Sequence, residues 1–271
     1  MSVLFFLLGT IAASFCCCMI DRRLASESPR GRSHCDSCGQ QLKVGDLIPV
    51  LIFLLLRGRC RYCSQKISGR LFVCETVNGL TWTLLWLRYG PCVLLWRYLT
   101  LFTLLLAISY SDSLSFTVPD SLLVILIIAR IVLFQSSDRL PVIFLQAFYL
   151  PVFLLAFCFL FCLIRKKQPM GLGDIKLFYV LGCYFSWEKM ILLLFLSCLI
   201  GIIYCLLSPI KGRSRPFPFV PSIYLAALLT LFFGQQIIAF YLFRFAKLLQ
   251  ARHFLFLKHP VLSALQTVKG K

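Results

Sequence analysis

Few side chains in this sequence could do chemistry. Ten carboxylates stand against 28 lysines and arginines in a chain of 271 residues, 60% of them apolar. Asp21, Glu27, Asp36, Asp46, Asp138 and Glu188 fall in loops between apolar runs and read as solvated charge. Glu75, Asp112, Asp120 and Asp174 lie in or at the ends of such runs, where an ionisable group in a membrane is costly and points to function. Asp174 follows Gly171-Leu172-Gly173, and two glycines at a helix start let another chain come close to the backbone. Asp112 lies in a polar interruption, Ser111 to Thr117, closed by Pro119. Two carboxylates a few ångströms apart cannot both ionise easily, so one acts as base toward water and the other as acid toward a carbonyl. Such a dyad hydrolyses peptide bonds with neither metal nor covalent intermediate. The structural alternatives are a cap or loop role for Asp112 and a helix-dipole role for Asp174. Asp120, directly after Pro119, reads as a cap.

Cysteines form the other candidate group. Ten of the 14 sit within or beside apolar runs and read as small packing residues. Cys35, Cys38, Cys60 and Cys63 form C-x2-C twice in the most polar stretch of the chain, a spacing that favours a metal over a disulfide. Four thiolates complete a closed tetrahedral zinc site, which is structural because no coordination position stays open. Four free thiols are the competing reading, and His34 reads as a bystander.

The elements that must position these residues are membrane helices. A mean hydropathy of +0.88 and 14% charged residues exclude an ordinary soluble domain, which carries about 25% charge. Apolar runs near the roughly 20 residues that span a bilayer recur along the chain. They predict eight spans, near Val3 to Ile20, Leu71 to Leu87, Cys92 to Tyr110, Val118 to Phe134, Val142 to Ile164, Ile175 to Phe185, Met190 to Leu207 and Phe217 to Gly234. The fold class is therefore an all-α polytopic membrane protein of about eight transmembrane helices with a small cytoplasmic zinc-binding module. The first run ends in Arg22-Arg23 and no small-residue cleavage site follows, so it reads as a retained span. Leu47 to Leu56 is too short to cross and reads as interfacial or re-entrant. The expected organisation is residues 1–20 first helix, 21–70 four-cysteine module with interfacial segment, 71–243 peptidase core and 244–271 basic amphipathic tail. No internal repeat is evident.

Charge orients the chain. Arg22, Arg23, Arg30, Arg32, Lys43, Arg57, Arg59, Arg61, Lys66 and Arg70 all precede the second span, which makes that loop cytoplasmic. Counting crossings puts Asp112 and Asp174 at cytoplasmic helix ends. It also puts the basic clusters at Arg165 to Lys167 and at Lys211 to Arg215 on that side, whereas the tail's Arg244, Lys247, Arg252, Lys258, Lys269 and Lys271 would lie outside. That tail therefore needs an extra crossing or a surface-bound helix. The net charge of +18 fits anionic membrane lipid as a partner rather than nucleic acid.

The ordered set resembles the bacterial type IV prepilin peptidases, aspartic proteases of the G-x-G-D intramembrane class. It comprises Gly171-Leu172-Gly173-Asp174-Ile175-Lys176-Leu177, Asp112 with Pro119-Asp120 seven residues on, the two C-x2-C pairs, Arg57-Gly58-Arg59 and Glu75. The resemblance implies an enzyme of the bacterial cell membrane with its active site at the cytoplasmic face. Such an enzyme removes the short basic leader of a prepilin or pseudopilin, as in competence systems, just after a glycine. It then methylates the new N-terminus with S-adenosylmethionine. Asp112 and Asp174 take the catalytic places, with Gly171, Gly173, Lys176 and Glu75 in support. Glu75 could equally bond a neighbouring helix or receive the new ammonium group. Ala13 and Val220 depart from the family pattern, each standing at a usual glycine position. The methyl-donor site is not legible, because no glycine-rich βαβ fingerprint is present. The alternative function is a non-enzymatic transporter or scaffold with a regulatory zinc module, whose carboxylates would sit nearer the membrane midplane.

Overall fold

The computed structural model describes residues 1–28, 31, 33–35, 37–41, 49–135, 139–166, 170–207, 217–241 and 243–244. Each predicted apolar run is helical, as lipid requires of a chain that must satisfy its backbone polar groups internally. The helices are α1 (Ser2–Leu24), the single turn α2 (Leu51–Leu55), α3 (Gly69–Tyr89), α4 (Val93–Ser115), α5 (Asp120–Val132), α6 (Leu140–Ala147), α7 (Tyr149–Arg165), α8 (Leu172–Gly182) and α9 (Trp187–Leu207). A last helix, α10, runs over Val220–Tyr241. Among the described residues there is no strand.

Among the described residues, five helical stretches are long and apolar enough to cross a membrane: α1, α4, the continuous run of α6 and α7, α9 and α10. The expected count of eight is not confirmed. The α3 helix has the length but carries Arg70, Glu75, Asn78 and Arg88. The α5 and α8 helices have only 13 and 11 residues, about 20 Å and 17 Å at 1.5 Å per residue, against a hydrocarbon core of about 30 Å. Between the two cysteine pairs, the described part of the segment expected to be interfacial forms α2, and Leu47 and Ile48 lie outside the described residues. Most of the basic tail lies outside the described residues, as do Asp36, Asp46, Asp138 and Lys211 to Arg215.

The bundle is organised around α4. Within its most apolar window 72% of the residues are buried, against 17% for α6 and α7 and 22% for α9, so α4 is the hub and the others present a lipid-facing belt. Phe153, Phe159, Leu206 and Leu207 are among the large apolar side chains left exposed on that belt. The α1 and α3 helices approach through glycines. A Cβ on Gly9 would stand 3.0 Å from Gly79 Cα, and one on Gly79 2.8 Å from Thr10 Cγ2. Small residues of this kind let helix backbones meet where no water-driven force joins them. At this contact the wholly buried Asn78 donates from Nδ2 to the Gly9 carbonyl at 2.8 Å, and Trp82 Nε1 donates to Thr103 Oγ1 of α4 at 2.8 Å. Tyr224 of α10 packs edge-on against Phe102 of α4, and its hydroxyl lies 2.8 Å from that of Thr81. Pro151 has no N–H for the Ala147 carbonyl, which breaks α6 from α7. Gly182 of α8 fits against Ala147 at that break, where a Cβ would come within 2.9 Å of the Ala147 Cα.

The four-cysteine module contains a short repeat that the sequence reading missed. The N–H of Cys35 donates to the Gln40 carbonyl at 3.0 Å and that of Cys60 to Gln65 at 2.9 Å. Gly39 and Ser64 donate back to the carbonyls of Cys35 and Cys60, at φ +68° and +59°. The bridges His34↔Gln41 and Arg59↔Lys66 close the two turns. Two equivalent knuckles thus stand 60 − 35 = 25 residues apart.

Candidate active site and metal centre

The paired knuckles bring Cys35, Cys38, Cys60 and Cys63 together with all four Sγ atoms within 4.8 Å of one another, and Cys35 Sγ lies 3.9 Å from Cys63 Sγ. A zinc ion with bonds of about 2.3 Å sets tetrahedral thiolates roughly 3.8 Å apart. The donor set therefore suits zinc, with the longest separations closing by at most about 1 Å. Backbone N–H groups of Cys38 and Ser37 pull the Cys35 thiol down to about 7, which makes it ready to serve as a thiolate ligand. This cluster could hold a metal of the closed, four-sulfur kind.

The aspartates are placed by four helix ends. Asp112 lies three residues before the end of α4, which stops where Phe116 takes a left-handed conformation at φ +55°. The residue is 6% exposed, and Oδ2 accepts the N–H of Val220, the first residue of α10, at 3.0 Å. The N–H of Phe219 also bonds this carboxylate. Asp174 sits in the first turn of α8, and its carboxylate accepts the N–H of Gly171. The two carboxyl groups are near enough for their charges to interact. Gly173 makes this approach possible. A Cβ there would stand 3.0 Å from Val118 Cβ, in the link between α4 and α5. Lys176 Nζ donates to both oxygens of Asp120, at 2.9 and 3.1 Å, and ties α8 to α5 in an exposed ion pair. Asp120 and Lys176 thus serve each other at the rim.

Glu75 is not part of this group. It is 5% exposed on α3, where Oε2 accepts the Val50 N–H at 2.9 Å and the carboxylate bonds the Ser14 side chain of α1. Together with Asp21 it lines a cavity of about 520 Å³ under the four-cysteine module, and neither Asp112 nor Asp174 reaches that cavity. The two groups do share one end of the bundle. Arg23 at the end of α1 donates to Ser121 Oγ beside Asp120 at 2.9 Å, and Tyr110 of α4 donates to the Asp21 carboxylate at 3.0 and 3.1 Å.

Comparison with known proteins gives this arrangement a family. The bacterial peptidase A24 N-terminal domain matches residues 7–89, and the type IV leader peptidase family matches residues 99–206. A prepilin leader peptidase/N-methyltransferase of Burkholderia pseudomallei is 34% identical over 210 residues, 75% of this chain and 67% of that protein. The chain belongs to the type IV leader peptidase family. A Bacillus subtilis relative of the same name is 29% identical over 246 residues, 88% of this chain and 96% of its own. One from Aeromonas hydrophila is 31% identical over 222 residues, 79% and 76%. No solved structure matches. With five apolar spanning helices, this leader peptidase family member is a multi-pass inner-membrane protein with peptidase and methyltransferase relatives.

Sequence reasoning missed the backbone donors of Phe219 and Val220. Their only signal was the run Pro218-Phe219-Val220-Pro221 ahead of α10. Because Val220 contributes its N–H and its side chain is wholly buried, a residue larger than glycine serves here. Ala13, the other departure, is 1% exposed within α1.

Proposed function

We propose that this chain is a membrane aspartic endopeptidase that cuts the leader from prepilin-like proteins after a glycine, at the cytoplasmic membrane face, using Asp112 and Asp174. The carrying observation is the buried Asp112 carboxylate, held by α10 backbone N–H groups and within charge reach of Asp174. An N–H donor occupies Asp112 Oδ2 as an acceptor. The two carboxyls, each also accepting backbone N–H bonds, share one proton and a water. The water attacks the substrate carbonyl as one carboxylate takes its proton, and the other carboxyl protonates the departing amine. Gly171 keeps a side chain away from the Asp174 carboxylate, Gly173 lets α8 close on Val118, and Lys176 with Asp120 sets where α8 begins.

Depth favours this reading over a transporter. Asp112 lies eight residues beyond Leu104, the middle of α4, or about 12 Å along the axis, and Asp174 is the third residue of α8. An ion-coupling carboxylate belongs nearer the midplane. The four thiolates would hold one structural zinc and fold a module too small for a core of its own. S-adenosylmethionine would supply the methyl group for the new N-terminus. Anionic lipid would hold the basic leader, since the enzyme's own loops are basic. The organisation into first helix 1–20, module 21–70, core 71–243 and tail 244–271 belongs to the same proposal.

One experiment tests it: purified protein incubated with a prepilin and S-adenosylmethionine, with leader loss and N-terminal mass followed together. Cleavage by the unsubstituted protein and none by Asp112→Asn or Asp174→Asn is the expected result. Near-normal turnover by either variant would remove the two-aspartate mechanism.

A further inference from the structure

The cavity under the four-cysteine module carries an assignment of its own, which rests on the N-methyltransferase part of the proposed function. Its volume of about 520 Å³ lies within the roughly 300–1,000 Å³ of small-molecule sites. The larger cavity nearby, about 930 Å³ between α1, α4 and α5, is walled mainly by apolar side chains such as Phe15, Met19, Leu104 and Ile125. The smaller one is chemically mixed. Glu75 and Asp21 bring carboxylates, Tyr110 brings a hydroxyl that fixes Asp21, and Arg70 and Lys66 bring positive charge at its exposed edge. Phe53 and Phe72 line it as a stacked pair with ring centroids 4.6 Å apart.

We propose that this cavity binds the sulfonium methyl donor, with Glu75 and Asp21 facing its positive charges, Phe53 and Phe72 its purine, and Arg70 and Lys66 its carboxylate. Each part of the donor meets its chemical complement. A sulfonium and an ammonium group need carboxylates in a partly dry site. A purine needs flat apolar surface, and a carboxylate needs a cation. Glu75, the more buried of the two carboxylates, also acts on the acceptor. It takes a proton from the substrate's N-terminal ammonium. The freed amine lone pair then forms a bond to the methyl carbon as the carbon–sulfur bond breaks. The bonding pair stays on sulfur, which leaves as a neutral thioether, and the product is a secondary ammonium.

Helix geometry separates this site from the peptidase dyad. Tyr110 and Asp112 are two residues apart on α4, so their side chains project roughly 200° apart. Tyr110 points to Asp21 and Asp112 to the start of α10. Cleavage and methylation therefore take place on opposite faces of one helix, and the new N-terminus must pass around the end of α4 between them.

The test is direct binding of S-adenosylmethionine, without prepilin, to the zinc-loaded full-length protein by titration calorimetry. Asp21→Asn and Glu75→Gln should each weaken binding at least about tenfold. Binding at wild-type strength in both variants would overturn the assignment. Zinc content and unfolding temperature report whether the variants are folded, and wild-type protein supplies a second arm that needs no variant. After ultraviolet cross-linking of methyl-tritiated donor, label should lie in peptides 14–25, 49–75 or 110–114, and label confined to α8, α9 or α10 would overturn the proposal. Leader cleavage is scored on the same preparation. Cleavage without donor binding defeats the cavity assignment alone, whereas donor binding at the cavity without cleavage supports it and defeats the peptidase reading.

Discussion

Gly173→Ala should slow leader cleavage by about tenfold to a hundredfold, although alanine favours a helix by up to ~1 kcal/mol over glycine. The added Cβ would stand 3.0 Å from Val118 Cβ and 3.1 Å from its Cγ2. Carbon atoms pack at roughly 3.5–4.0 Å, so this contact must open by about 0.5–1 Å. Val118 lies in the short link from Asp112 to α5, and Asp174 is the next residue after Gly173. Opening the contact therefore moves one aspartate relative to the other. Overpacking of this size costs about 1–3 kcal/mol of stability, which a bundle of this size can survive, whereas a 1 Å displacement of reacting groups costs on the order of 10² in rate. The assay is leader-cleavage turnover for wild type, Gly173→Ala, Val118→Ala and the double variant, with unfolding temperatures measured alongside. Val118→Ala removes Cγ2 and keeps Cβ, so the double variant should recover part of the loss, with a coupling of about 0.5–3 kcal/mol. Wild-type turnover in Gly173→Ala would refute the claim that this contact sets the spacing of the aspartates. A loss that Val118→Ala leaves untouched would refute it equally.

Asp112→Asn and Asp174→Asn should each abolish cleavage while the protein stays folded and inserted, as measured by turnover and unfolding temperature. Asp120→Asn should be milder, because its ion pair with Lys176 is 68% and 57% exposed and contributes at most ~1 kcal/mol. Metal analysis of protein prepared without chelators should find about one zinc per chain, and replacing both Cys35 and Cys60 by Ser should release it. Cleavage should then fall through loss of the module. In the substrate, a β-branched residue in place of the glycine before the cut should nearly stop cleavage, because glycine both loosens the helix and lets the backbone reach the aspartates. Neutralising one leader lysine should slow it only modestly, and the reverse ranking in a cleavage assay would show that charge controls recognition.

Much of this molecule was legible because apolar runs and rare polar side chains are strong signals in a membrane protein. Each run became a helix, and the C-x2-C pairs predicted the thiol cluster found. Crossing number was harder to read, because length and hydropathy compete. Asn78 and Glu75 make α3 too polar for a simple span, yet both are buried against α1 and α4 or under the module. The paired knuckles escaped notice because only Cys, Cys and Gln recur between them, while the shared feature is backbone hydrogen bonding at Gly39 and Ser64. The donors to Asp112 escaped for the same reason. A backbone N–H belongs to every residue except proline, so its use at Val220 leaves no mark in the side-chain code.

The end of α4 explains why the polar chemistry gathers where it does. Ser109, Tyr110, Ser111 and Asp112 are consecutive and all buried, which lipid would not tolerate on an outer face. Helical rotation gives the last three different neighbours. Tyr110 reaches Asp21 of α1, Ser111 donates to the Thr117 carbonyl beside the apolar cavity, and Asp112 receives the start of α10. A polar run with a partner on every side can exist only in a helix surrounded by other helices, and α4 is the one the bundle encloses most. The outer helices α7 and α9, facing lipid, can vary so long as they stay apolar. Rigid placement of the two carboxylates thus follows from enclosure: the hub presents a buried Asp112 to the backbone N–H groups at the start of α10, and Asp174 comes to it on the short α8, whose first turn is pinned by Gly173 against Val118 and by Lys176 on Asp120.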